Sequence, residues 1–298
     1  MALPARAEVV ALPLRRSPIR AALAALRPRQ WSKNLLLFAG LLFAAKLGDA
    51  VRWLEASAAF AAYCTASSAA YLVNDVRDAQ HDRAHPLKRL RPVARGELSP
   101  RSALVLAGAL SIVAFALVAP LGTTSVGFLT AFLALQGGYS LGLKHVVLLD
   151  VFAIAALFVL RSAAGAAAVD VRISPWLLLV TALLALFLAL AKRRSELVLP
   201  GSSRPVLDGY SLPFVDQLIA VTVACTIAAY AIYTFTAHSP ALMATIPFVV
   251  FGLFRYLLLV HRDDLGEEPE NVLLTDRPLV VAVALWAVTA AAILAATN

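Results

Sequence analysis

Residues 60–82 read Phe60-Ala-Ala-Tyr63-Cys64-Thr-Ala-Ser-Ser-Ala-Ala-Tyr71-Leu-Val-Asn74-Asp75-Val-Arg77-Asp78-Ala-Gln-His81-Asp82. The first part ends an apolar run over 53–74, as long as the roughly 20 residues a helix needs to cross a hydrocarbon layer. From Asn74 onward polar and ionisable groups dominate, and no Gly or Pro interrupts the passage before Pro86. One helix is therefore expected to leave the membrane carrying an acidic row. Asn74, Asp78 and Asp82 recur every fourth residue and stack on one face of a continuing helix, with Asp75 on its flank. The row rises about 12 Å, enough for a line of oxygen ligands rather than one compact cage.

The rest of the chain has the same apolar character. Of its 298 residues 61% are hydrophobic and 15% charged, with a mean hydropathy of +0.80. Soluble domains hold roughly 45–50% apolar and ~25% charged residues, so a soluble fold is excluded. A disordered chain and a disulfide scaffold are excluded too, because Cys64 and Cys225 lie far apart in apolar stretches. Long apolar runs fall at 34–47, 53–74, 102–119, 124–143, 146–168, 174–191, 213–236, 240–260 and 278–297. The expected architecture is an all-α integral membrane protein, with nine transmembrane helices in one domain over 31–298. The leader, 1–30, lacks the continuous apolar core of a cleaved signal. Ser17-Pro18 opens a short amphipathic helix over 18–27, expected to lie on the membrane surface.

Basic residues orient the bundle. The leader to residue 33 and segment 77–101 carry seven Lys and Arg each, segment 192–204 four, segment 255–277 three, and Lys144 stands between two runs. Opposite them are Lys46, Arg52 and Arg172, with Arg161 inside a run. Cytoplasmic loops collect Lys and Arg, which puts the N-terminus, the long polar loops and the acidic row inside. The net charge of +8 is then a topology signal and not a nucleic-acid footprint.

An oxygen-only row with no Cys and no paired His suits a hard cation such as Mg²⁺, with Mn²⁺ as a substitute. Asn74, Asp78 and Asp82 are the expected metal ligands. Mg²⁺ takes one or two carboxylates plus substrate phosphates, so the row reads as a diphosphate dock. Lys88, Arg89, Arg91, Arg95 and Arg101 follow it closely and supply cations for phosphate. His81, His85, His145, His238 and His261 form no metal-ligand spacing. The acidic loop 263–270 reads as solvated or as a lid. Arg29 and Lys33 flank Trp31, either as an interfacial anchor or as contacts to a lipid phosphate. Asp150 and Arg161 share one helix face, with Arg161 about 16 Å deeper. A buried Arg faces the bundle interior; it either pairs with a carboxylate such as Glu55 or reaches substrate.

At these residues the chain resembles the UbiA superfamily of intramembrane prenyltransferases. The likeness rests on Asn74-Asp75-x-x-Asp78-x-x-x-Asp82, on Arg27-Pro-Arg-Gln-Trp31-Ser-Lys33-Asn34, and on His85-Pro86-x-Lys88-x-x-Arg91-Pro92-x-Ala94-x-Gly96. It continues through Tyr139-Ser-Leu-Gly-Leu-Lys144 with Asp150, Arg161-Ser-Ala-Ala-Gly165, Lys192-Arg193-Arg194-Ser-Glu196 and Glu268-Pro-Glu270 to Asp276-Arg277. The nearest branch moves 5-phosphoribose from its 1-diphosphate to a polyprenyl, decaprenyl-type phosphate. The resemblance implies Asp78, Asp82, Lys144 and Asp150 as catalytic residues. It implies Lys33, Asn74, Asp75, Lys88, Arg91, Tyr139, Arg161, Lys192 and Arg193 as substrate contacts. It further implies a prokaryotic inner membrane and a role in arabinan-type envelope glycan precursors. Aromatic prenyltransferases of the superfamily are similar to one another in a second D-x-x-x-D motif, and here that place reads Lys192-Arg193-Arg194-Ser-Glu196. Cations in place of carboxylates point to two anionic substrates. An aromatic prenyltransferase or a lipid transporter are the rival expectations.

Overall fold

The computed structural model describes residues 15–43, 48–84, 88–172, 174–198, 205–236, 240–262, 272 and 275–296. The short helix expected over 18–27 is α1 (Pro18–Ala25), with Pro18 in its first turn. Its Ala21 and Ala25 are buried, whereas Ile19 and Leu23 are exposed. A 3₁₀ segment, Pro28–Phe38, leads into α2 (Ala39–Phe43). Next come α3 (Ala50–Arg77), α4 (Ala79–Ala84), α5 (Pro100–Val118), α6 (Thr123–Leu141) and α7 (Leu149–Ala168). The last are α8 (Pro175–Val198), α9 (Leu212–Thr236), α10 (Ile246–Arg262) and α11 (Arg277–Ala296).

Starts are chemically marked. Asp49 accepts from the backbone N–H of Val51 and Arg52 at 2.9 and 3.3 Å to cap α3, and Ser99 accepts from Ser102 N–H at 3.0 Å to cap α5. Among the described residues seven helices are long and apolar enough to cross a membrane, not nine. The first expected span is a 3₁₀ segment followed by five α-helical residues, and 44–47 lie outside the described residues. The fourth is the 19-residue helix α6, whose end, Gln136-Gly-Gly-Tyr-Ser140, dilutes its apolarity. At the sixth, the helix does not stop at residue 191 but carries the basic motif on to Val198.

α7 joins two cores. On one side Leu157, Ala164 and Ala168 pack with Leu37, Tyr63, Leu129 and Phe132. On the other Val151 packs with Phe187, Leu190, Ile219 and Tyr256. The small residues of α7 let backbone meet backbone. A Cβ on Gly165 would stand 2.1 Å from the Leu37 carbonyl oxygen, and one on Gly40 would stand 2.8 Å from Ala166 Cα. The 3₁₀ segment is thus seated directly on α7. A third cluster (Ala25, Leu72, Ala79, Val93, Ala103) gathers α1, the end of α3 and the start of α5 at one end of the bundle. Large apolar side chains such as Leu54, Val105 and Ile112 point outward and are more than two-thirds exposed, a surface that lipid covers. The chain is a multi-pass membrane protein.

Candidate functional site

The acidic row forms where α3 ends. Asp78 closes that helix at φ −88°, ψ 4°, still donating its N–H to the Asn74 carbonyl at 2.9 Å. Asp82 N–H bonds the Asp78 carbonyl at 2.9 Å, so the hydrogen-bond ladder continues into α4 through a bend. The expected uninterrupted helix is therefore kinked at Asp78, and the carboxylates separate in environment.

Asp75 is 1% exposed. Its Oδ1 accepts from Arg27 Nη2, in a close contact, and from Arg91 Nη1 at 3.3 Å. Its Oδ2 is buried without a hydrogen-bond partner. Asp82 is buried and accepts from Arg91 Nη1 at 2.7 Å. Asp78 keeps 28% of its side chain exposed and faces Lys144 Nζ at 3.3 Å. Lys144 comes from the 3₁₀ turn Leu143–His145 between α6 and α7, so the two motifs meet across the bundle end. Arg27 arrives from the leader with φ 52°, its guanidinium 4.7 Å from the centre of the Tyr71 ring. Trp31 Nε1 donates to Ser68 Oγ at 3.1 Å and Ser68 donates to the Leu26 carbonyl at 2.8 Å, which stitches the leader to α3.

A second polar centre lies in the α7–α8 core. Asp150 is 0% exposed; its Oδ2 accepts from Arg193 Nε at 2.6 Å and its Oδ1 from Tyr210 Oη at 2.6 Å. Arg193 is 1% exposed and also donates from Nη1 to Glu196, one turn on. Its Nη2 is buried without a hydrogen-bond partner, and Tyr139 lies close enough to interact electrostatically. Tyr210 Oη accepts in turn from Leu148 N–H at 2.8 Å. Leu148 has φ 68°, a costly conformation for a bulky residue. Burial, and then the Asp150 carboxylate, push the Tyr210 phenol well above its usual range, so it stays a donor.

The remaining expected residues are dispersed. Arg161 does not pair with Glu55, which bonds Arg52 at 2.9 Å. Arg161 instead donates to Asn34 Oδ1 at 2.8 Å and to the Leu157 carbonyl at 3.1 Å, with its guanidinium over Phe132. Lys33 Nζ donates to Gln30 Oε1 at 2.6 Å. Lys88, Tyr139 and Lys192 are half-buried, and Asn74 likewise, on the last turn of α3. Arg194 is held by Asp216 at 2.7 Å. His85, His238 and the acidic loop 263–270 lie outside the described residues. Arg27, Glu196 and Tyr210 complete the two centres, although the sequence pattern does not single them out as site residues. Arg27 was visible within the quoted N-terminal motif; Tyr210, 60 residues from Asp150, left no local signal.

Among the described residues no three His, Cys, Asp or Glu side chains converge into a metal cage. The donors at the bend are all oxygen, and one buried carboxylate oxygen of Asp75 is unsatisfied. That set fits a hard divalent ion completed by ligand phosphates.

The sequence profile described as the UbiA prenyltransferase family matches residues 35–275. A decaprenyl-phosphate phosphoribosyltransferase of Mycolicibacterium smegmatis is 32% identical over 88% of this chain and 88% of its own length. One of Corynebacterium glutamicum is 34% identical over 88% and 83%. Among solved structures, a UbiA homolog from Archaeoglobus fulgidus bound to GPP and Mg²⁺ superposes with a TM-score of 0.71 at 19% identity, over 92% of this chain and 99% of that one. The profile match and the two full-length relatives show that the chain belongs to the UbiA prenyltransferase family.

Proposed function

We propose that the chain transfers 5-phosphoribose from phosphoribosyl diphosphate to a polyprenyl, decaprenyl-type phosphate and releases diphosphate. The observation that carries this reading is the row of carboxylates interleaved with Arg27, Arg91 and Lys144 at one end of the bundle. Two full-length relatives named for that activity support it. The reaction joins two anions, and the bundle end supplies cations beside metal-type donors.

Asp78, with Asn74 and Asp82, would hold Mg²⁺, or Mn²⁺ in its place, where the donor diphosphate binds. The ion's chemistry is to neutralise the charge that grows on the departing diphosphate. Lys144 and Arg91 aim at the same oxygens, and their present ion pairs with the row keep both side chains extended toward it. An oxygen of the acceptor phosphate forms a bond to ribose C1 as the C1–O bond to diphosphate breaks. The acceptor is already ionised, so the residues position and screen it and no strong general base is required. Lys33, Lys88 and Lys192 are the candidates for its phosphate. Asp150, Arg193 and Tyr210 act from inside the core by fixing the 143–150 connection that carries Lys144. Tyr139 lies within electrostatic reach of Arg193, and Arg161 braces the first segment through Asn34. The active end faces the cytoplasm of a prokaryotic inner membrane, and the product feeds arabinan-type envelope glycans.

The test is transfer of ribose-labelled phosphoribosyl diphosphate into the organic phase by membranes containing the chain, with Mg²⁺ and polyprenyl phosphate. Metal-dependent transfer is expected. No transfer at any chain length, with prenylation of an aromatic acid instead, would replace this reading by the aromatic one.

A further inference from the structure

Next to the acidic row, and lined by none of its residues, is a separate cleft of about 270 Å³ walled by Arg15, Arg83, Arg89, Ala94 and Arg95. Its walls are built, not fortuitous. Gly96 takes φ 71°, which folds the loop back so that Glu97 and Leu98 N–H both bond the Pro92 carbonyl, at 2.9 and 3.2 Å. Glu97, its side chain 1% exposed, then receives Arg95 at 3.1 Å and Arg16 at 3.2 Å. Arg16 also reaches the Leu90 carbonyl at 3.3 Å, which fastens the leader to this loop and sets Arg15 at the rim. Arg83, the residue after Asp82 on α4, is oriented by its own bond from Nε to the Ala94 carbonyl at 3.2 Å.

Glu97 pairs with Arg16 and Arg95, and among the described residues the cleft itself is lined by four arginines and no carboxylate. A fold that gathers like charges this way is stabilised when an anion joins them. Guanidinium forks present paired donors that match the oxygens of a phosphate bidentately. The volume equals several water molecules at roughly 30 Å³ each, room for a phosphate group. Beside the cleft, α1 turns Ile19 and Leu23 outward from a buried alanine face, the arrangement of a helix lying at headgroup level.

We propose that this arginine cleft is a phosphate-binding site distinct from the acidic row, taking either the headgroup phosphate of an anionic lipid or a free phosphate group. The inference stands apart from the transferase reading because its test measures binding and not turnover. Full-length protein in detergent, with EDTA to silence the acidic row, is titrated with dioctanoyl phosphatidylglycerol and separately with inorganic phosphate. The double variant Arg15→Gln/Arg89→Gln and the single variant Arg83→Gln alter exposed side chains, and Arg172→Gln serves as the remote control. Wild type is expected to bind at least one probe, and the cleft variants to bind it about tenfold more weakly, as loss of charge-assisted hydrogen bonds implies. Preference for the phosphatidylglycerol assigns the site to a lipid headgroup; equal or better binding of inorganic phosphate assigns it to a soluble group. Binding that the cleft variants leave unchanged, or that Arg172→Gln weakens equally, overturns the proposal.

Discussion

The two polar centres use the same chemistry to opposite ends. At the bend after α3, Asp78 stays 28% exposed against Lys144 at 3.3 Å. In the α7–α8 core, Asp150 and Arg193 are essentially sealed and meet at 2.6 Å, with Glu196 accepting from Arg193 Nη1 and Tyr210 donating to Asp150. A loose, wet ion pair opens at little cost and its partners can be exchanged for a ligand. A dry pair, sealed from water, holds its geometry and is costly to break. The difference teaches that a cluster's ability to receive substrate depends on its access to water, not on its residue types. The outer centre is suited to chemistry, the inner one to holding Lys144 in place.

The sharpest break of this contrast is removal of the outer carboxylates. Asp78→Ala and Asp82→Ala are each expected to lower label transfer by at least about 10³-fold while the protein still inserts and folds. Chelation with EDTA should act in the same way on wild type. Full activity in either variant would remove the metal assignment.

Arg193→Ala should do the reverse. Opening the buried pair costs roughly 3–5 kcal/mol of stability, read as a lower melting temperature in detergent, and Arg193→Lys should rescue poorly because it lacks the fork. Turnover per folded molecule should fall far less than in Asp78→Ala. An unchanged melting temperature with abolished turnover would move Arg193 to the substrate.

Tyr210→Phe probes the link between the centres. It removes the hydroxyl that accepts from Leu148 and donates to Asp150. A roughly fivefold drop in kcat/KM is expected, about one hydrogen bond's worth, with KM for the donor diphosphate rising and KM for the acceptor steady. Equal effects on both would mean a general loosening instead.

The smallest effect lies away from both centres. Arg255 bonds Asp276 at 2.7 and 3.1 Å, and that pairing holds the Asp276 carboxyl below its usual range despite some burial. A depressed carboxyl stabilises the fold above its unfolded value and loses that contribution as pH falls through the folded one. Asp276→Asn should therefore melt slightly below wild type at neutral pH, and the gap should close below about pH 4.

Much of this was readable along the chain, for reasons that differ by residue. The boundaries of α5, α7 and α9 lie within a few residues of the apolar runs because burial in lipid leaves little choice of composition. The first span resisted the same reading, since Pro28–Phe38 coils as a 3₁₀ segment whose Leu37 backbone packs on Gly165 of α7. Asp78 and Asp82 were legible from a spacing of four. The partnership of Asp75 with Arg27 was not, because 48 residues separate them and only the fold brings them together. The basic run at 192–194 suggested free cations for substrate, whereas Arg193 and Arg194 are matched by acids from α7 and α9. Charge along a chain reports how many ions a membrane protein carries, but not which have already been spent on each other.

The bond between Asn34 and Arg161 has a consequence for how the molecule is made. Its two halves are 127 residues apart. At 5–20 residues per second, a ribosome finishes Arg161 about 6–25 s after Asn34 has left it. During that interval Asn34 can bond Cys64 Sγ through its Nδ2, at 3.3 Å, but its Oδ1 still lacks the Arg161 guanidinium. When α7 arrives, it brings the partner and the glycine notch at Gly165 together. The seventh helix is thus the latch that admits the oldest part of the chain to the bundle, and the order of synthesis is written into a single buried contact.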